Sequence, residues 1–131
     1  MLGMNRLQTE KDGPGVNLLV ADARSLGDTF QDSTFDAILE KGTLDAIYLS
    51  GGKDKRKAME NLNMAISELE RCVRPGGIFM SITAVVDDQI QASFDEREEW
   101  ICLIDKDSLC VTEDGYTSNN IDGNFLVWRK K

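Results

Sequence analysis

The sequence contains no histidine. That excludes a Ser-His-Asp triad, a Cys-His nucleophile pair and imidazole ligation of a metal, and no metal site is expected. Proton transfer near neutral pH falls to carboxylates, lysine, tyrosine or cysteine, or is not required. Cationic side chains are few: 15 Lys and Arg stand against 23 Asp and Glu, a formal net charge of −8. Phosphate-backbone binding needs clustered Lys and Arg, so no nucleic-acid partner is expected. The acidic balance suits a polar or basic partner. No apolar run approaches the ~18–20 residues of a membrane span, so no membrane partner is expected either. Cysteine is scarce, with Cys72, Cys102 and Cys110 and no Cys-x-x-Cys pair. This argues against a zinc ribbon or a disulfide framework and fits a reducing compartment, the cytoplasm by default. Met1 to Leu7 lack the charged and apolar blocks of a secretory signal, and a mitochondrial address would lie upstream of Met1.

What is present suffices for one folded domain. The chain has 131 residues, 41% hydrophobic and 29% charged, the range of a globular domain able to bury a core. Gly13-Pro14-Gly15 is the first break. Before it, Met4-Asn5-Arg6-Leu7 reads as the tail of a helix. After it, Val16 to Val20 is an apolar run of strand length. Phe35 to Glu40 is a second strand candidate, with Phe35, Ala37 and Leu39 on one face at period two. Glu40-Lys41-Gly42-Thr43 terminates it and Gly51-Gly52 marks a loop.

The strongest helix runs from about Lys55 to Arg74. Ala58, Leu62, Ala65, Leu69 and Cys72 form its stripe, widened by Met59, Ile66 and Val73. Asp54 is its N-cap and Pro75-Gly76-Gly77 its stop. Ile78 to Thr83 is a third strand and Trp100 to Asp105 a fourth. Asn124 to Arg129 is a fifth, and Thr112 to Gly123 forms a polar loop before it. Between the third and fourth strands, Asp87 to Glu99 carries six carboxylates against Arg97 alone, either a solvated surface or an attraction for a basic protein. The helix between the second and third strands makes a βαβ crossover, hence a parallel pair. The last two strands, joined without room for a crossover helix, pair antiparallel.

In open α/β sheets ligands bind beyond the carboxyl ends of the strands. Asp22-Ala23-Arg24 follows the first strand and Glu40-Lys41-Gly42-Thr43-Leu44-Asp45 the second. A carboxylate there accepts from an exocyclic amine, a neighbouring N–H donates to a ring nitrogen, and Gly42 admits a ligand close to the backbone. Each piece alone has a plainer reading: Asp22 as a turn former, Glu40-Lys41 as an exposed ion pair.

Three segments in order are more specific: Ala21-Asp22-Ala23-Arg24-Ser25-Leu26, then Ser33 to Ala46 with its Glu-Lys-Gly-Thr-Leu-Asp core, then Leu69 to Gly77 ending Arg-Pro-Gly-Gly. Together they resemble the second half of a class I, seven-strand S-adenosylmethionine-dependent methyltransferase, most like the protein-lysine enzymes that act on elongation factor and on citrate synthase. The resemblance spans Met4 to Thr83 by motif and Trp100 to Lys131 by pattern. It implies an α/β fold, the C-terminal part of a Rossmann-like methyltransferase, with a mostly parallel sheet and an antiparallel C-terminal strand pair. The family's sheet order is 3-2-1-4-5-7-6.

The resemblance also implies roles. Asp22 and Ala23 match the adenine-reading position, and Glu40 the acidic residue beside the methyl-transfer centre, so Glu40 is the catalytic candidate. Lys41 and Gly42 match the border of the cofactor's methionine end. Thr43 lies at the substrate entrance, and Asp45 further along that loop. Tyr48, with Trp100, is a candidate wall for a lysine channel, although a lone aromatic at such a position is also a core residue. The implied cofactor is S-adenosylmethionine and the implied partner a protein with a target lysine. The family's Gly-x-Gly turn and its ribose-holding acid are not found here. Residues 1–131 are therefore expected to form a single, truncated domain that binds cofactor weakly or not at all and is weak or inactive by itself. The alternative is a non-catalytic interaction module that pairs through an open sheet edge with the full-length enzyme, with another partner or with a second copy.

Overall fold

A computed structural model of the chain describes residues 6–8, 15–107 and 123–131. The expectations for Met4, Asn5, Gly13, Pro14, Cys110 and the 112–122 loop lie outside those residues. Strand β1 (Arg6–Gln8) pairs antiparallel with β2 (Asn17–Leu19) in a two-stranded sheet. The helix tail expected around Arg6 and Leu7 is thus a strand. An antiparallel partner satisfies the backbone groups of β2 that a lone strand would leave open.

Among the described residues the main sheet has four strands in the order β3-β4-β6-β5. These are β3 (Phe35–Lys41), β4 (Val73–Thr83), β5 (Trp100–Ile104) and β6 (Asn124–Lys130). β3 and β4 are parallel, while β4–β6 and β5–β6 are antiparallel. This is the 4-5-7-6 portion of the expected order, with the crossover and the antiparallel pair where the pattern places them. Among the described residues β3 is an edge.

Three helices, among the described residues, cover one face. Helix α1 (Thr43–Leu49) follows β3, α2 (Lys55–Cys72) makes the crossover, and α3 (Asp87–Asp95) joins β4 to β5. Helix α2 starts as expected, with the Lys57 N–H donating to Asp54 Oδ1 at 3.1 Å. It buries Ala58, Leu62, Ala65, Ile66, Leu69 and Cys72, so its stripe is the one its period-3.6 pattern describes. Helix α1 stands where the sequence reads as a loop. Helix α3 forms within the acidic run, burying Ile90 and Phe94.

The core centres on four rings. Phe94 stacks on Trp128 at 3.9 Å between centroids and on Phe79 at 5.4 Å, and meets Trp100 edge-on at 5.1 Å. Such contacts add to the area these rings bury. The Trp100 indole N–H donates to Glu70 at 2.9 Å, which satisfies its one polar atom. The side of β3 that faces the helices carries Ile38 and Glu40, whereas Leu39, on the Phe35/Ala37/Leu39 side, is 60% exposed. The apolar set of β3 therefore lies on the face the helices leave open. The polar Glu40 lies on the covered face, which its hydrogen bonds make tolerable.

Candidate functional site

Two segments converge at the carboxyl end of the sheet. One is the turn after β2, the other the passage from β3 into α1. Ala21, Asp22, Ala23 and Arg24 form one side of an open cleft of about 580 Å³, and Lys41, Gly42, Thr43, Ala46, Ile47 and Ser50 the other. Thr43, Ala46, Ile47 and Ser50 are spaced i, i+3, i+4 and i+7, one face of a helix. The residues after Lys41 read in the sequence as a terminator and loop, so the last three stay hidden there with the short helix that carries them.

Gly42 makes the passage possible. It sits at φ +73°, in the left-handed region, as the N-cap of α1, where a side chain is strained. Its N–H donates to Ile82 O at 3.0 Å. At the other end of α1, a β-carbon on Gly51 would lie 2.6 Å from backbone atoms of Ala58, so glycine lets the turn close onto α2.

The turn after β2 is held by its own ion pair. The Arg24 backbone N–H donates to Asp22 Oδ1 at 2.9 Å, and its guanidinium to Oδ1 at 3.2 Å and Oδ2 at 3.0 Å. A further guanidinium donor reaches Asn61 Oδ1 on α2 at 3.3 Å. Arg24 holds the Asp22 carboxyl below the usual carboxylate range; as with any exposed carboxylate, it is an ionised acceptor at neutral pH. Arg24 also lines a second open cleft with Glu60, Asn63, Met64, Ser67 and Glu68 of α2.

Glu40 and Asp45 lie behind the cleft. Glu40 is 9% exposed; its Oε1 accepts the Leu44 N–H at 2.9 Å and its Oε2 the Ser81 hydroxyl. Burial pushes its pKa up, partly opposed by those hydrogen bonds, and the nearby Asp45 charge pushes the same way as burial. Asp45 is 8% exposed and accepts from the Thr83 hydroxyl and, at 2.8 Å, from the Ala84 N–H. Tyr48 belongs to the hydrophobic core, with Lys55 Nζ 5.9 Å from its ring centroid. Trp100 is core as well.

Of the residues picked from sequence, the structure brings Asp22, Ala23, Lys41, Gly42 and Thr43 to one cleft. It leaves Glu40, Asp45 and Tyr48 out of that lining. Arg24, Ala46, Ile47 and Ser50 join it. The set suits parts of a nucleoside sulfonium: an ionised acceptor and adjacent backbone for the adenine edge, a glycine for close approach, and short apolar side chains for packing. Among the described residues no group of three or more acidic or cysteine side chains could hold a metal.

Comparison with known proteins agrees with this frame. The profile of the family described as "Methyltransferase domain" matches residues 1–81. The mouse protein "EEF1A lysine methyltransferase 4" is 36% identical over 75 residues, 54% of this chain and 28% of that protein. The Drosophila melanogaster "eEF1A lysine and N-terminal methyltransferase homolog" is 29% identical over 94 residues, 72% of this chain and 13% of that one. The chain thus spans 28% of the mouse relative's length. A solved Thermus thermophilus structure, described as "Putative DNA Modification Methylase", superposes with a TM-score of 0.54 at 16% identity, covering 86% of this chain and 52% of its own. That likeness concerns the fold alone. The chain belongs to the methyltransferase-domain family, whose cofactor is S-adenosylmethionine.

Proposed function

We propose that this chain carries the strand-end portion of a protein-lysine N-methyltransferase site. The observation that carries the reading is the convergence of Asp22-Ala23 with Lys41-Gly42-Thr43 on one cleft beyond the carboxyl ends of the strands. The two relatives quoted above are both named for eEF1A lysine methylation, which supports the choice of a protein lysine as acceptor.

The bound cofactor supplies an electrophilic methyl on a sulfonium. The rest of the work is positioning. Asp22 accepts from the adenine amine while Arg24 holds its carboxylate in place. The backbone of Ala23 donates to the ring. Lys41 and Gly42 border the methionine end. Thr43, at the mouth of the cleft, meets the incoming lysine. An amine attacks only when neutral, and partial desolvation in the cleft lowers its pKa. Glu40, buried beneath, orients this end of the site through the first turn of α1. A lysine-methylation assay on a basic protein substrate, run with the chain and with a Gly42→Trp variant that fills the cleft, tests the reading. Methylation by the chain that the variant loses supports it, and methylation equal in both contradicts it.

A second reading rests on the edge strand. β3 leaves one side unpaired among the described residues, and Leu39 is 60% exposed beside it. A chain that acts as an interaction module, pairing β3 with the β3 of a second copy, uses that edge.

A further inference from the structure

The buried carboxylate of Asp45 has a definite anchorage that the cleft-lining roles leave unexplained. Asp45 stands in the first turn of α1, five residues after Glu40. Its Oδ1 accepts the Thr83 hydroxyl and its Oδ2 the Ala84 N–H at 2.8 Å. Thr83 is the last residue of β4 and is fully buried. Its oxygen in turn accepts the Val86 N–H at 3.3 Å, at the start of α3. One chain of hydrogen bonds therefore ties α1 to the end of β4 and to the N-cap of α3. Gly42 N–H to Ile82 O and the Ser81 hydroxyl to Glu40 add two more ties between the same passage and the same strand. Those two hold the entry to α1, whereas the Asp45 contacts, alongside the burial of Leu44 and Tyr48 in the core, bear on the rotation of the helix about its own axis.

That rotation decides what the cleft sees. Thr43, Ala46, Ile47 and Ser50 face the cleft, and in a helix Asp45 points about 100° away from residue 46 and about 200° from residue 43. Pulling Asp45 toward β4 thus turns the Thr43/Ala46/Ile47/Ser50 face outward to the cleft. We propose that Asp45 is a positioning residue, latched by Thr83 and Ala84, that sets the rotation of α1 and with it the wall where cofactor and acceptor lysine meet. The inference rests on the reading of the cleft as the methyl-transfer site, but the latch itself is measurable without it.

The test uses the intact chain and three near-isosteric variants, Asp45→Asn, Thr83→Val and Thr83→Ser. Asparagine keeps the shape but turns an N–H₂ toward one of the two donors. Valine removes the hydroxyl, and serine keeps it. Amide hydrogen exchange reads the latch directly. Exchange in α1 is expected to rise about tenfold or more in Asp45→Asn and Thr83→Val, consistent with losing a buried charge-assisted hydrogen bond, while α2 and β4 stay protected and Thr83→Ser stays near the parent. Equal protection of α1 in all four proteins overturns the proposal, and so does loss of protection throughout α2 and β4, which marks a general core role. Titration with S-adenosylhomocysteine, read by amide chemical shifts, separates the two layers. If the parent responds at the cleft, Asp45→Asn and Thr83→Val must weaken that response several-fold and Thr83→Ser must restore it; unchanged affinity overturns the positioning role. If the parent does not respond, the proposed function falls, and the exchange data alone decide the latch.

Discussion

Glu40 and Ser81 stand directly opposite one another across the parallel β3–β4 pair, and the Ser81 hydroxyl donates to Glu40 Oε2. The other Glu40 oxygen accepts from Leu44 N–H. A carboxylate is thereby kept inside the sheet–helix interface, where it joins the strand that leads into the cleft to the strand that follows the crossover helix. Its Coulombic neighbour is Asp45, itself anchored to the end of β4.

This arrangement has a pH signature. Burial raises the Glu40 pKa above its ordinary value, so the folded chain holds this proton more tightly than the unfolded one. Its charged form costs stability, a cost absent below the unfolded pKa and complete once pH has passed the raised folded value. A Glu40→Gln variant lacks the charge. Its stability relative to the parent is expected to rise as pH increases through that window and to level off above it. Urea unfolding of both proteins at a series of pH values checks this, and a difference that stays flat or falls with pH refutes it. The carboxyls lowered by Arg partners, Asp22 and Glu68, act in the opposite direction at lower pH and cancel in the comparison.

Gly42 makes a backbone prediction. Open space surrounds the position a β-carbon would take, yet φ is +73°. Gly42→Ala is expected to cost about 1 kcal/mol through strain rather than clash, and Gly42→Asn less, since asparagine tolerates this region better. Equal stability of all three proteins in urea would show that the passage from β3 to α1 relaxes freely.

Much of the fold is legible in the sequence, and the failures are local. The order β3-β4-β6-β5 follows from the crossover helix and the resemblance together, and the α2 stripe from period alone. Helix α1 is hidden because Gly42-Thr43 reads as a strand terminator, and a helix of seven residues is too short to display a convincing period. The exposed side of β3 is hidden for a different reason. Phe35, Ala37 and Leu39 look like a core face, but Glu40 occupies the covered side because Ser81 and Leu44 supply its hydrogen bonds. Ser81 lies 41 residues further along the chain, a pairing that no local pattern reveals. Asp22, Ala23, Lys41, Gly42 and Thr43 are legible because they adjoin strand ends. Ala46, Ile47 and Ser50 are hidden with the helix that carries them.

Asp22 tests the adenine contact. Asp22→Ala is expected to weaken S-adenosylhomocysteine binding about tenfold or more, the scale of a lost hydrogen bond to a charged group. Asp88→Asn, whose parent side chain pairs with Lys106 away from the cleft, is expected to leave binding unchanged. Shift titrations of the three proteins decide; equal affinity in Asp22→Ala removes Asp22 from the site.

The open edge makes a prediction about association. If β3 pairs with a second copy, sedimentation equilibrium shows a dimer that Leu39→Lys dissociates while leaving monomer stability within about 0.5 kcal/mol, as for other exposed substitutions. A parent chain that stays monomeric at the highest soluble concentration refutes self-association through this edge.

On this reading the cleft between Asp22-Ala23 and the β3–α1 passage receives the cofactor. A titration of the isotope-labelled chain with S-adenosylhomocysteine, followed residue by residue by amide chemical shifts, tests it most directly and registers even weak binding. Saturable shifts concentrated at residues 21–24 and 41–50 are expected. A folded chain with no shifts there at millimolar ligand, or with shifts centred on the second cleft along α2, contradicts it.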